Sequence, residues 1–252
     1  MKVDLNGKTA VITGGGSKTA RAAASELLKN GAAVILADSD EKKAKRFEKD
    51  FSQYAEKVFF AVLDPRSGEK IYADYEKICE KHNPDILINC VKDTPEHKDR
   101  ALIHETDMKR YDEIIYSEVT GLYYTVKAAL QRMVENNSGV IINITSVLGI
   151  VPRIGLSVNS ACAAAAMSLI KVWALELDKT NIRLHTVARG EYEEESSLKE
   201  EAAISHQSVK RAVTPEDVAQ AVLFLCSPGA EMQNGEITVV SGGIDYGYMR
   251  TF

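Results

Sequence analysis

GVIINITSVLGIVPRIGLSVNSACAAAAMSLIKVWALEL, residues 139–177, is the stretch whose reading decides the fold. It opens on an apolar run, GVIINIT (139–145), with no polar alternation. Such a run suits a strand buried on both faces, as in a parallel sheet covered by helices. The stretch closes on a predicted helix over 158–178, in which ACAAAA (161–166) is small and helix-favouring.

The same alternation extends outward in both directions. TAVIT (9–13), AAVILA (32–37), KVFFAVL (57–63), DILIN (85–89), IRLHTVA (182–188) and EITVV (236–240) read as further buried strands. Helices are predicted over 18–30, 41–54, 66–82, 108–136 and 215–226. The last opens with Thr214 as N-cap and Pro215 in the first turn, a residue order that starts helices well. Seven strands with intervening helices predict an α/β fold: a Rossmann-type, doubly wound parallel seven-stranded sheet with helices on both faces. Residues 1–252 are expected to form a single domain, without repeat, low-complexity tract or linker.

Composition narrows the function. With 45% hydrophobic and 27% charged residues and a net charge of −5, the chain is expected to have no nucleic-acid surface. Cys79, Cys90, Cys162 and Cys226 are scattered, with no CxxC pair and no histidine at zinc spacing, so no metal site is expected. They read as buried free thiols of a reducing compartment. The N-terminus enters a strand without a basic-then-apolar signal segment, and no run approaches the roughly 18 apolar residues that span a membrane. A cytoplasmic protein with no membrane partner is expected.

Thr13-Gly-Gly-Gly-Ser-Lys-Thr-Ala20 follows the first strand and opens a helix, the context of a dinucleotide-binding loop. Together with residues 139–177 it resembles the short-chain dehydrogenase/reductase family, and the resemblance runs from about Leu5 to Gly243. In that family the loop reads T-G-x-x-x-G-x-G. Here Gly14 stands, but Lys18 and Ala20 take the second and third glycine places. Lys18 would carry a long side chain to where cofactor phosphates lie, offering an ammonium to an anion or merely meeting solvent. Asp38 matches the acidic residue for the adenosine ribose of NAD, and Asp64 the residue near the adenine. The Asn-Asn-Ala-Gly after the fourth strand appears as Asn89-Cys90-Val91-Lys92, again with lysine for glycine. Gly14, Asp38, Asp64 and Asn89 are thus the remnants of a cofactor site.

By the same resemblance, Ser146 should be followed by a Tyr after thirteen residues and a Lys four further on. Those places are Asn159 and Ala163, and Glu118 replaces an Asn that supports a proton-relay water. The family's chemistry is hydride transfer coupled to proton transfer, with Tyr as acid/base and Lys lowering its pKa. One catalytic residue in four, Ser146, remains. Glu118, Lys92 and His185 stand as substitute proton carriers, against a packed His185 and an ion-paired Glu118. The family's Pro-Gly after the sixth strand is Arg189-Gly190, followed by Glu191, Glu193, Glu194 and Glu195, read as a solvated lid.

The scaffold has not decayed in step. The family's subunit interface uses the helices at 108–136 and 158–178, and the tail's Tyr246, Tyr248 and Phe252 suit a contact surface or a cover over the sheet. The resemblance therefore implies a non-catalytic subunit, paired in a heterotetramer with an active paralogous subunit of an NAD-dependent dehydrogenase acting on a hydroxyacyl-CoA. NAD is expected in the assembled complex and not in this chain. The alternatives are a re-equipped oxidoreductase or dehydratase and a ligand-sensing protein without turnover.

Overall fold

The computed structural model describes residues 2–90, 100–190 and 207–243. Seven strands form one parallel sheet: β1 (Thr9–Thr13), β2 (Ala33–Asp38), β3 (Val58–Val62), β4 (Ile86–Asn89), β5 (Gly139–Ser146), β6 (Ile182–Arg189) and β7 (Ile237–Val240). Their order is β3-β2-β1-β4-β5-β6-β7. The winding reverses between β1 and β4, so their carboxyl ends flank the crevice where open α/β sheets bind ligands.

Both faces of the sheet are covered, which is why its strands carry continuous apolar runs. Ala10 and Ile12 of β1 face one core layer with Leu27 of α1 (Lys18–Lys29) and Leu223 near the C-terminal helix's end. Val11 faces the other layer, built from Tyr75, Val126 and Trp173. The helices behind that second layer are α3 (Lys70–His82), α5 (Gly121–Glu135) and α6 (Ser157–Glu176). By length and composition α6 is apolar enough to cross a membrane, but half of its most apolar window is buried against the domain's own sheet and neighbours.

Three predicted helices are modified. The stretch 41–54 breaks into a four-residue helix, α2 (Glu41–Ala44), and a 3₁₀ turn over Glu48–Tyr54. Only Ala44 and Phe51 are buried there, too small an apolar face to hold a longer helix. α3 starts four residues later than expected because Gly68, at φ +61°, makes a turn first. The long helix predicted over 108–136 is α4 (Met108–Ile115) and α5 joined by a π turn over Tyr116–Thr120. Such wide turns gather at functional sites, and this one carries Glu118. At its end, a Cβ on Gly121 would lie 2.8 Å from the Pro65 side chain, so only glycine lets α5 approach the loop after β3.

The C-terminal helix α7 (Pro215–Cys226) begins as the sequence indicates. Thr214 Oγ1 accepts from Asp217 N at 3.2 Å, while Asp217 Oδ2 accepts from Thr214 N at 2.9 Å. Arg211 donates to the same carboxylate and holds its pKa down at about 2. Thr214→Ala removes the cap and should cost about 1 kcal/mol of stability; a lower urea midpoint at unchanged slope checks it.

Candidate functional site

The floor of the crevice is a buried polar chain across three strands. Thr13 Oγ1 donates to Asn89 Oδ1 at 2.8 Å and accepts from Cys90 N at 3.1 Å. Asn89 Nδ2 donates to Asn143 Oδ1 at 2.8 Å. Asn89, a predicted cofactor contact, is therefore spent on joining the carboxyl ends of β1, β4 and β5. Gly14 turns away from this floor at φ +61°, and a Cβ there would fall 1.8 Å from the Cys90 carbonyl oxygen.

The loop after β1 is held from the next strand. Gly16 N donates to Asp38 Oδ2 at 2.9 Å, and Ser39 N to Asp38 Oδ1 at 2.7 Å. Ser17 caps α1 by accepting from Ala20 N at 3.1 Å. Ala20 is fully buried in the core, so the methyl replacing a glycine hydrogen is accommodated. Lys18 is exposed at the first residue of α1 and, among the described residues, lines neither cavity of the crevice. Lys92, the glutamates from Glu191 to Glu195, and Tyr246, Tyr248 and Phe252 lie outside the described residues.

Asp38, Asp64 and Gly14 line an open cavity of about 520 Å³ at the ends of β1–β3, with α4 and the π turn as its far wall. Asp64 Oδ1 accepts from Arg66 N at 2.9 Å and from its Nε at 3.2 Å. Of the catalytic positions, Ser146, Asn159 and Glu118 border a second, far smaller cavity of about 40 Å³ at the ends of β4–β6. Glu118 lines both.

Ser146 ends β5, and its Oγ accepts from Leu148 N at 3.2 Å, capping the following turn. Asn159 is 2% exposed, and neither its Nδ2 nor its Oδ1 has a hydrogen-bond partner. Ala163 is 1% exposed on the buried side of α6, beside the Gly149 backbone. Its methyl is not among the cavity's lining groups, which come from α6 as Asn159, Cys162 and Ala166. The buried thiols of Cys79, Cys90 and Cys226 are pushed up by desolvation, to about 11, 12 and 12, so none is a ready nucleophile. Among the described residues no cluster of His, Cys, Asp or Glu could hold a metal.

Two assignments change. His185 does not reach the crevice: it is fully buried under α7, where Arg183 Nη1 lies 3.0 Å from its Nε2. Burial, then the Arg183 charge, push its pKa down from 6.5 to about 4. The residue to which sequence reading gave no role is Arg189. It is 6% exposed, pairs in register with Ser146, and lines the small cavity. Its signal was an arginine at the end of β6, in the place of the family's proline.

A phosphate-type loop at a switch point, an acidic residue ending β2 and a serine ending β5 define a dinucleotide-fold protein of the dehydrogenase class. The chain belongs to the short-chain dehydrogenase/reductase family: the family model described as Enoyl-(Acyl carrier protein) reductase matches residues 17–245. It is 29% identical over 246 residues to the 3-oxoacyl-[acyl-carrier-protein] reductase FabG of Thermotoga maritima, covering 95% of this chain and 98% of that protein. It is also 29% identical over 248 residues to the 7alpha-hydroxysteroid dehydrogenase of Escherichia coli K12, covering 95% and 94% of the two chains. The fold superposes with a TM-score of 0.88 on a gluconate 5-dehydrogenase from Burkholderia cenocepacia J2315 in complex with NADP and tartrate, at 22% identity, covering 96% of this chain and 97% of that one. These relatives are oxidoreductases.

Because folded His185 resists protonation while the unfolded chain takes up a proton near 6.5, stability is complete above that pH and falls toward pH 4. The loss should be on the order of 2–3 kcal/mol across that window. His185→Asn should flatten this slope, read from urea unfolding at pH 7 and pH 4.5. Thr13→Val strands Asn89 Oδ1 and Cys90 N without their partner, and should cost about 1–3 kcal/mol in the same measurement.

Proposed function

We propose that this chain is a non-catalytic subunit of an NAD-dependent short-chain dehydrogenase that acts on a hydroxyacyl-CoA, working beside an active paralogous subunit in a heterotetramer. The observation that carries this reading is the pair Asn159 and Ala163. A carboxamide and a methyl, both buried, stand where the family's acid/base and its pKa-lowering partner belong. Neither exchanges a proton near neutral pH, and losing positioned acid/base help costs about 10²–10⁴-fold in rate. Ser146 alone can orient a carbonyl or hydroxyl but cannot move its proton.

What the chain keeps suits assembly. Along α6, Ala161, Ala164 and Ser168 present small exposed side chains, and Val172 and Leu175 continue the stripe, the latter 75% exposed. Tyr123 on α5 is half-exposed and packs edge-on against Trp173 of α6. Small residues with apolar neighbours allow two helices to approach closely. The thioester chemistry follows the activity of the 3-oxoacyl-[acyl-carrier-protein] reductase relatives. A system of that kind is the two-subunit 2-[hydroxy(phenyl)methyl]succinyl-CoA dehydrogenase of anaerobic toluene degradation, one of whose subunits looks like an inactive short-chain dehydrogenase, and the pattern of replaced residues in this chain is similar. In this reading NAD belongs to the active partner.

A second reading, a re-equipped oxidoreductase or dehydratase, rests on Glu118, a half-buried carboxylate bordering both cavities. Steady turnover by the pure chain on a hydroxyacyl-CoA panel, abolished by Glu118→Gln, would establish it in place of the first.

The subunit reading predicts that co-expression with a paralogue carrying intact Tyr and Lys yields one complex, and that the isolated chain turns over no substrate. Ala164 is exposed in the single chain, so Ala164→Trp should leave the fold intact while weakening the complex by about 1–3 kcal/mol. Sizing and co-purification measure it. A paralogue that is stable and fully active alone, never binding this chain, refutes the reading.

A further inference from the structure

Three carboxamides border the cavity at the ends of β4–β6: Asn89, Asn143 and Asn159. The first two satisfy each other, with Asn89 Nδ2 donating to Asn143 Oδ1 at 2.8 Å. Asn159 has no share in that pairing. It is 2% exposed, and among the described residues neither its Nδ2 nor its Oδ1 meets a partner. Buried polar groups are costly when left this way, and nearly all of them in folded proteins are paired. A carboxamide asks for a group that gives and takes a hydrogen bond at once.

Its surroundings suit such a group. Asn159, Cys162 and Ala166 stand at i, i+3 and i+7 of α6, so one helix face lines this side of the cavity. Cys162 and Ala166, with Ile144 of β5, give a carbon stem an apolar wall. Ser146, at the end of β5, borders the same cavity. Its Oγ accepts from Leu148 N at 3.2 Å, which leaves its hydroxyl hydrogen for a further acceptor. The last torsion of an asparagine is soft, so the amide plane of Asn159 turns its edge into the cavity at little cost.

Hydrogen-bond accounting then selects the ligand. A ketone oxygen accepts from Asn159 Nδ2 and from Ser146 but leaves Asn159 Oδ1 unpaired. An ionised carboxylate does the same and sets its charge against that oxygen. A cis amide edge, as in a primary carboxamide or a lactam, matches every group. Its carbonyl accepts from Asn159 Nδ2 and Ser146, and its N–H donates to Asn159 Oδ1.

We propose that this cavity recognises a neutral cis-amide edge on a small ligand, a primary carboxamide or a lactam, held amide to amide by Asn159 with Ser146 as the second donor. Residue 159 is the family's acid/base place, so the ligand enters on the substrate side of the crevice and is bound and released without proton transfer. Asn159 is thus a specificity-determining residue for a ligand class that neither a ketone nor an alcohol belongs to. The proposal goes beyond the subunit reading and needs no partner chain, so each can fail without the other.

Nuclear magnetic resonance of the full isotope-labelled chain tests this, with propanamide and pyrrolidinone as probes and butanone and propanoate as controls of similar size. The side-chain amide signal of Asn159 is assigned by its loss in Asn159→Leu, which puts an apolar group of similar shape in its place. Both amides should bind in the roughly 1–100 millimolar range that such fragments reach, and should shift that signal. Butanone and propanoate should bind at least roughly tenfold more weakly. Asn159→Leu should abolish amide binding. Asn159→Asp keeps the acceptor, loses both N–H donors and should weaken amide binding at least roughly tenfold, with circular dichroism confirming each fold. No amide binding at about 100 millimolar overturns the proposal. So does a ketone or carboxylate bound as tightly as the amides, or amide binding that leaves the Asn159 signal unmoved. Amide affinity unchanged in either variant overturns it equally, and the comparison of the four probes on the unaltered chain stands whether or not a variant folds.

Discussion

The hydrogen-bonded run Thr13–Asn89–Asn143 is the constraint on which the rest of the crevice depends. It is buried, crosses the winding reversal, and fixes the carboxyl ends of β1, β4 and β5 relative to one another. Buried polar chains of this kind are valuable only when every member is satisfied. Gly14 is then forced by packing, because the Cys90 carbonyl occupies the space of any side chain there. Gly14 and Asn89, which look like cofactor ligands in sequence, thus each have a structural task within the protein itself.

The same separation holds at the loop and helix that follow. Asp38 anchors Gly16, and Ser17 caps α1, so backbone donors of a phosphate loop find partners within the protein. A scaffold built this way holds its phosphate-type loop by its own groups. Asn159 and Ala163, at the family's Tyr and Lys places, lie within α6 and cap neither of its ends. Ser146 survives among them and has a second task, capping the turn after β5.

The seven strands were legible because the apolar runs are long and the sheet is covered on both faces. TAVIT (9–13) and the helix at 215–226 match the structure to the residue. The break within 41–54 was not, since Phe47, Phe51 and Tyr54 imitate helical spacing while only Phe51 of the three is buried. The site was legible where a motif fixes a backbone place, as for Ser146 and Asp38. It was illegible where side-chain direction decides. Lys18 stands in the phosphate loop yet is exposed, and His185 alternates to the face under α7, two residues from the Arg183 it meets. Arg189 lies at the end of the same strand, and only the three-dimensional register beside Ser146 gives it meaning.

Asn159 makes the physical cost of this state explicit. An enclosed carboxamide with neither atom paired costs about 1–3 kcal/mol for each unsatisfied group. It lines a small cavity together with Asn89 and Asn143 of the polar chain, so the unsatisfied amide stands beside carboxamides that are themselves paired. Packing works against simple reversal. A tyrosine at 159 needs space that Arg189 now borders, and a lysine at 163 must leave a helix face that packs on the Gly149 backbone. Introducing the two side chains alone would therefore meet the packing of both neighbours.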